Sequence, residues 1–421
     1  MRPFFCLVFS ILGSFIYAAE SPKSWWKGNL HTHSLWSDGD DYPEMIAGWY
    51  KQRGYHFLAF SDHNILADHE RWISIQKNSG GELAFAKYLD RFGPKWVEVR
   101  GDEGDKEVRL KMLGEFRVPL EEAGRFLLIQ SEEITSRTIH VNATNLQELI
   151  LPYTAFDPKK SDSVVKALQR MINTVVEQRE RTGVPMFPHI NHPNFTWALT
   201  AEELVQIENE RFFEVYNGHP EVRNEGDGLH ASTERIWDII LTERLAHGKE
   251  PLFGLATDDS HQYHNESGKR KRPGRGWLMV RAAVLTVEEL IAAMEAGDFY
   301  ASSGVTLKEV RRDKDCLSLE IEAEPGVTYT TDFIGTHRDY DPRSEPVLAE
   351  NGEPLRVTRR YSDEIGEVLL RTGDLAASYH LKGDEIYVRA RVTSSKVKAE
   401  PSRDGEFEQA WTQPVVGAAE K

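Results

Sequence analysis

Cysteine is nearly missing from this chain. Of 421 residues only Cys6 and Cys316 carry a thiol, and Cys6 lies in a leader expected to be removed. A single remaining cysteine cannot close an internal disulfide, so stability must come from a packed core and thiols carry none of the chemistry. Positive charge is also in short supply. The formal net charge is -16, which argues against a broad nucleic-acid-binding face and leaves room only for a local basic patch. Beyond the N-terminus no stretch is long and apolar enough to span a bilayer. A serine elbow, an internal repeat and a low-complexity tract are likewise absent.

What is there begins with an export signal. Arg2 supplies a short positive region, residues 4–17 are almost unbroken apolar, and Ala18 and Ala19 offer a small-residue cleavage site. The run is short of the roughly 20 residues a spanning helix needs, and no basic flank follows it. Residues 1–19 are expected to be a cleaved signal peptide. The mature chain is then exported, periplasmic or extracellular, with no stable membrane insertion.

The rest of the chain is organised around Gly28-Asn29-Leu30-His31-Thr32-His33-Ser34-Leu35-Trp36-Ser37-Asp38-Gly39. Strand side chains alternate, so His31 and His33 fall on one side and can share a metal ion or a close pair. Asp38 adds a hard oxygen on a loop that Gly39 can bend. Further strands follow, each delivering similar residues. Phe57-Leu58-Ala59-Phe60 leads to His63, and Phe126-Leu127-Leu128-Ile129 to Glu133, with His140 soon after. Val184-Pro185-Met186-Phe187 leads to His192, and Leu252-Phe253-Gly254-Leu255-Ala256 to Asp259 and His261. Helical periodicity between them, as in residues 43–54, 162–181, 233–247 and 287–296, marks an α/β alternation. Residues 65–124 read as an insertion of helices and loops. After residue 304 only short alternating segments remain, among them 317–321, 355–357 and 385–392. They predict a small antiparallel β domain over 305–421, beside an α/β body over 24–304.

In parallel sheets and barrels, strand C-termini gather at one rim and sites form there. His31, His33, Asp38, His63, Glu133, His140, His192, Asp259 and His261 would share that rim. At roughly three to five protein ligands per ion they suffice for two or three divalent cations, with zinc, manganese and iron suited to such nitrogen and oxygen donors. Glu133 could bridge two of them. A purely structural metal site is closed and has few ligands, which disfavours a non-catalytic secreted metal- or glycan-binding protein. His56, His69, His230, His247, His337 and His380 lie off the rim and read as surface or packed histidines.

These motifs resemble those of the PHP (polymerase and histidinol phosphatase) superfamily. The likeness rests on His31-x-His33 with Ser37-Asp38-Gly39, on Ser61-Asp62-His63 where the usual motif is T-D-H, on Glu133 with His140, on His192-Pro193, and on Asp259-Ser260-His261. It covers about residues 25–305, with every motif in order. Asp258 and Asp259 are adjacent, and the D-x-H pattern selects Asp259. Export, the large insertion and the β tail are similar to a secreted branch of metallohydrolases that includes carbamate-ester hydrolases. The resemblance implies a distorted seven-stranded β/α barrel with a di- or trinuclear metal site.

The chemistry expected is hydrolysis by a metal-bridging hydroxide, with no protein nucleophile. His189 and His219, on neighbouring rim loops, are candidates to protonate the leaving oxygen. The basic run Lys269-Arg270-Lys271-Arg272 and Arg275, flanked by Gly274 and Gly276, could recruit an anion. The substrate expected is therefore a small, anionic phosphate ester. A carboxyl ester or carbamate on the same metals is the alternative.

Overall fold

The computed structural model describes residues 22–264 and 271–418. The leader, with Cys6, and the Lys269-Arg270 part of the basic run lie outside the described residues. Seven strands carry the ordered motifs: β1 (Ser24–Asn29), β2 (Phe57–Phe60), β3 (Leu127–Ser136), β4 (Ile139–Thr144), β5 (Phe187–Ile190), β6 (Phe212–Asn217) and β7 (Phe253–Thr257). They lie in one sheet in the spatial order β7-β6-β5-β4-β3-β2-β1. β4 alone is reversed, pairing antiparallel with β3 and β5, while the other neighbours are parallel. β2 is apolar throughout because both its faces are covered: all four of its residues are buried.

The two ends of this run approach each other just beyond the strand termini. Thr32, after β1, bridges Ser260, after β7. The His33 amide donates to the Ser260 carbonyl at 3.0 Å, and the Asp259 amide to the His31 carbonyl at 3.1 Å. At the other flank β1 pairs antiparallel with β8 (Trp277–Ala282), which pairs with β9 (Phe299–Ser302).

Helices cover the outside. Ser161–Thr182 buries the stripe Val164, Leu168, Met171, Ile172 and Val175, and ends at Gly183, whose φ of 70° is the left-handed conformation glycine adopts without penalty. Thr233–Ala246 drives Trp237 fully into the core, where its indole donates to the Leu252 carbonyl at 2.8 Å. Trp237→Ala would cost about 3–5 kcal/mol, the usual penalty for emptying so large a buried site. Among the described residues no helix is long and apolar enough to cross a membrane.

The C-terminal region is antiparallel β, with no helix among its described residues. Leu307–Arg312, Cys316–Ile321 and Ala376–His380 form a small sheet of their own. The strands β10 (Tyr329–His337), β11 (Glu367–Thr372), β12 (Glu385–Val397) and β13 (Phe407–Thr412) instead extend the large sheet, because β13 pairs with β9. Trp411 on β13 is buried and stacks on Tyr216 of β6, ring centroids 5.6 Å apart. The region is thus joined to the α/β body by backbone hydrogen bonds as well as side chains.

Two local expectations need correction. Residues 65–124 hold, besides helices Gly81–Phe92 and Leu113–Leu120, a three-stranded sheet of Arg71–Ser74, Glu107–Leu110 and Val99–Arg100. Residues 355–357 are not a strand. Arg356 instead bonds Glu203 at 2.8 and 2.7 Å and the Ala198 carbonyl at 2.6 Å, laying the segment across helix Ala201–Gln206.

Candidate metal centre

His31 and His33 follow β1 in extended backbone, with Thr32 turned the other way to meet the Asn29 amide at 2.8 Å. The loop after them is held by Asp62, whose carboxylate accepts from the Ser34 amide, the Ser34 hydroxyl and the Ser37 hydroxyl at 2.8, 2.8 and 2.6 Å. This brings Asp38 over the histidines, with its side chain 53 % exposed at the mouth. Gly39 is needed for space rather than for a left-handed bend. A Cβ there would sit 2.6 Å from the His33 carbonyl oxygen.

Glu133 lies at the centre. Its carboxylate is 2.7 Å from His63 Nδ1, 2.9 Å from His140 Nδ1, and 3.4 Å from the Nε2 atoms of His31, His33 and His192. Glu132, one residue away, points to the opposite face and accepts the Ile150 amide at 2.9 Å. The adjacent aspartates diverge in the same way. Asp259, at a left-handed φ of 49°, reaches within 3.3 Å of His31 Nε2 and 3.2 Å of His33 Nε2. Asp258 turns away and takes the backbone amides of Gly274, Arg275 and Gly276 at 2.8, 2.6 and 2.8 Å.

Four groups result: His33, Asp38, His63 and His261; His31, Glu133 and His192; His31, His33 and Asp259; and, deeper, His31, His189 and Glu214, the donor atoms in each lying within 4.8 Å of one another. His140 contacts Glu133 and His192 at the edge of these groups.

The donors fit a metal. His31 Nε2 and both ring nitrogens of His33 are buried and make no hydrogen bond. An unmet buried polar group costs about 1–3 kcal/mol, which a coordinated cation would relieve. Burial, with His261 and His63 beside it, pulls His33 down to about 3, so the ring is neutral and one of its nitrogens keeps a free lone pair. Burial opposes ionisation of Glu133, but His63, His140 and His31 outweigh it and hold the carboxylate charged. For Asp259, His31 and His33 do the same. Imidazoles gathered around buried carboxylates, without sulfur, are nitrogen and oxygen donors suited to a divalent cation. Against burial, Asp259 and Glu133 raise the proton affinity of His31, whose proton a bound cation would replace.

Glu214 was not anticipated. It is fully buried on β6, accepts from His31 Nδ1 and Thr257 Oγ1 at 2.7 Å, and takes the His192 amide and Asn217 Nδ2 at 2.8 Å. Its bond to Nδ1 turns Nε2 of His31 towards Glu133 and Asp259. Such carboxylate partners fix ring orientation at metal sites. Its only signal in the sequence is an acid inside the apolar run of β6.

Neither a comparison with protein families nor one with curated proteins returns a match. Among solved structures the chain is similar to a two-domain protein from Bacteroides vulgatus, named for a predicted PHP-like metal-dependent phosphoesterase within it. The identity is 14%, the coverage 88% of this chain and 90% of that one, and the TM-score 0.38. It is also similar to a protein from Bifidobacterium adolescentis with the provisional name of metal-dependent phosphoesterase. There the identity is 13%, the coverage 57% and 90%, and the TM-score 0.27. Likeness at these scores carries no argument, so function has to be read from the site residues.

The three proposed catalytic residues fall in different places. His189 is fully buried on β5, behind His31 and 3.6 Å from Glu214, away from the mouth where a leaving group would depart. His219 stands near His261, ring centroids 5.6 Å apart, and its Nδ1 accepts the Glu221 amide at 3.1 Å. Its proton therefore sits on Nε2, as a donor. Arg275 is committed to the fold. Nε donates to the Glu400 carbonyl at 3.1 Å and Nη1 to the Gly218 carbonyl at 3.0 Å, tying the C-terminal region to the rim. The expected anion clamp at Arg275 thus gives way to a structural tie. Among the described residues, Lys271 is a basic residue close to the mouth. Its carbonyl accepts the His261 and Gln262 amides at 2.8 and 2.9 Å. Its charge acts on Asp38, His219 and His261.

Proposed function

We propose that this chain is an exported metal-dependent hydrolase, built on a distorted seven-stranded β/α barrel, that cleaves a small phosphate ester. The observation that carries the hydrolase reading is the buried set of imidazole nitrogens without hydrogen bonds, facing Glu133 and Asp259. His31, His33, Asp38, His63, Glu133, His140, His192, Asp259 and His261 would hold two or three divalent ions. Bound ions would lower the pKa of a coordinated water and offset charge on the ester oxygens.

The chain's own residues supply the rest. Glu214 and Asn217 orient His31 and Asp259, with Asn217 Nδ2 3.2 Å from Asp259 Oδ2. Asn191 holds Glu133 through a 2.7 Å hydrogen bond. His219, kept neutral by burial, can donate a hydrogen bond from Nε2–H to a leaving oxygen. Lys271 favours an anionic ester. The committed guanidinium of Arg275 favours the second reading, hydrolysis of a neutral carboxyl ester or carbamate, since it leaves fewer free cations at the mouth.

The test is elemental analysis after metal supplementation, followed by turnover of p-nitrophenyl phosphate, acetate and carbamate. Two or more ions per chain and fastest turnover of the phosphate are expected. Lys271→Ala should raise KM for the phosphate tenfold to a hundredfold, as for a lost hydrogen bond to a charged group of about 1.5–3 kcal/mol, and leave neutral esters unchanged. Faster turnover of neutral esters by the wild type would favour the second reading, and fewer than two ions would refute the metal centre. N-terminal sequencing of the secreted chain should begin after Ala18 or Ala19.

A further inference from the structure

Phe195 stands over three of the site histidines. Its ring centroid is 5.1 Å from that of His192, 5.8 Å from His219 and 6.0 Å from His140. Unlike those histidines it is only partly buried, so part of the residue is open to solvent beside them. The turn that presents it is strained. Thr196 and Trp197 are consecutive left-handed residues with φ of 52° and 58°, and a β-branched residue there is an outlier kept only when its surroundings enforce it.

The surroundings do enforce it. The Phe195 amide donates to the His192 carbonyl at 2.9 Å, and Phe195 bridges Val222. Asn194 Nδ2 donates to the carbonyls of Arg223 and Ala231, both at 2.9 Å. Trp197 lies flat on His230, ring centroids 3.8 Å apart with 2° between planes. A hydrophobic residue with no other task would not need so constrained a support.

We infer that Phe195 is a specificity-determining residue, the wall on which the organic part of the ester stacks, and that the enzyme prefers esters carrying an aromatic ring next to the reacting group. This rests on the hydrolase reading and deepens it. An ester bound at the ligand cluster would carry its organic group outward past His192 and His219, along the free face of the ring. Ring pairs at centroid distances of 4.5–7 Å attract beyond simple burial.

The test uses non-hydrolysable probes and metal-loaded full-length protein. Binding of phenylphosphonate and methylphosphonate is measured by calorimetry in the wild type, Phe195→Leu and Phe195→Tyr, with metal content determined for each. The wild type should bind the phenyl compound about tenfold more tightly, in line with stacking on an aromatic side chain. Phe195→Tyr keeps a ring and should keep the ratio, whereas Phe195→Leu should bring it near one with metal content unchanged. No preference in the wild type, or a preference that survives in Phe195→Leu, overturns the inference. Loss of metal from Phe195→Leu but not from Phe195→Tyr would make Phe195 a packing residue for His140 and His192, and would also overturn it. If the loaded wild type binds neither probe and hydrolyses no ester, it is the hydrolase reading that fails.

Discussion

Two clusters in this molecule hold the same residue types at the same spacing. One is the rim around Glu133. The other is His337, Asp384 and Glu385 at one end of β10 and β12, whose donor atoms also lie within 4.8 Å. They differ in how their polar atoms are met. Glu385 is buried but fully occupied, accepting the Tyr379 hydroxyl at 2.7 Å and the amides of Lys382 and Gly383 at 2.9 and 3.1 Å. Asp384 is 61 % exposed, so water serves it. At the rim, His31 Nε2 and both ring nitrogens of His33 are buried together without a protein hydrogen-bond partner, whereas in the second cluster His337 Nδ1 alone is, beside the exposed Asp384. Residue type alone therefore does not make a metal site. Several unpartnered imidazole nitrogens buried side by side, facing the buried carboxylates of Glu133 and Asp259, form a set that a cation would satisfy at once.

The largest effect should come from breaking the rim at its centre. Glu133→Gln is expected to lower kcat/KM about a thousandfold, the several kcal/mol a metal ion supplies, and to release one ion. Glu385→Gln should leave turnover and metal content unchanged. Glu132→Gln should behave like Glu385→Gln, since it faces away. Equal loss from Glu133→Gln and Glu385→Gln would erase the contrast.

A smaller effect is expected one layer out. Glu214→Gln keeps the shape but removes the charge that orients His31, and should weaken metal affinity or activity by about 10- to 100-fold. Competition with a chelator would read it, against wild-type protein at the same pH. Unchanged affinity and activity would make Glu214 a packing residue only.

Lys27 offers a half-buried charge of the opposite sign, placed over the rings of Tyr55 and Trp277 at 4.1 and 4.0 Å. Burial pulls its pKa from the usual 10.5 to about 8, against the attraction of Asp258. Between those two values the unfolded chain binds more protons than the folded one, so stability should rise with pH across that window. Lys27→Met should unfold at higher urea than the wild type at pH 7, and the advantage should shrink by pH 10.5. A gain that does not depend on pH would mean that packing, not charge, is responsible.

Most residues that meet at the rim were legible because they follow or end short strands that run parallel, while Glu133 lies within β3 and His140 opens the reversed β4, whose start meets the same rim. Glu214 was hidden because a lone acid inside an apolar strand looks the same whether or not it faces a site. Arg275 was misread for a different reason. A run of positive charge cannot show that one guanidinium is spent on carbonyls of Gly218 and Glu400, residues remote from it in sequence. The continuity of the sheet through β9 and β13 was hidden in the same way, since Ala301 pairs with Trp411. Adjacent pairs such as Asp258 and Asp259 are resolved only by where the backbone turns.

The smallest expected effect comes from the second cluster itself. His337 Nδ1 lies 3.2 Å from Asp384, and Nε2 lies 3.7 Å from Glu367. Both carboxylates are exposed enough that the contacts are surface ion pairs, each worth about 0–1 kcal/mol and weakened by salt. His337→Asn should therefore shift the urea midpoint slightly or not at all, and leave metal stoichiometry as it was. The measurement that sharpens the comparison is a zinc titration of His337→Asn beside one of His33→Asn. If His33→Asn loses an ion and His337→Asn loses none, the number of buried unmet donors gathered around buried carboxylates is what separates the clusters. If His337→Asn also loses an ion, the half-exposed cluster binds metal after all, and the spacing of donors matters more than their burial.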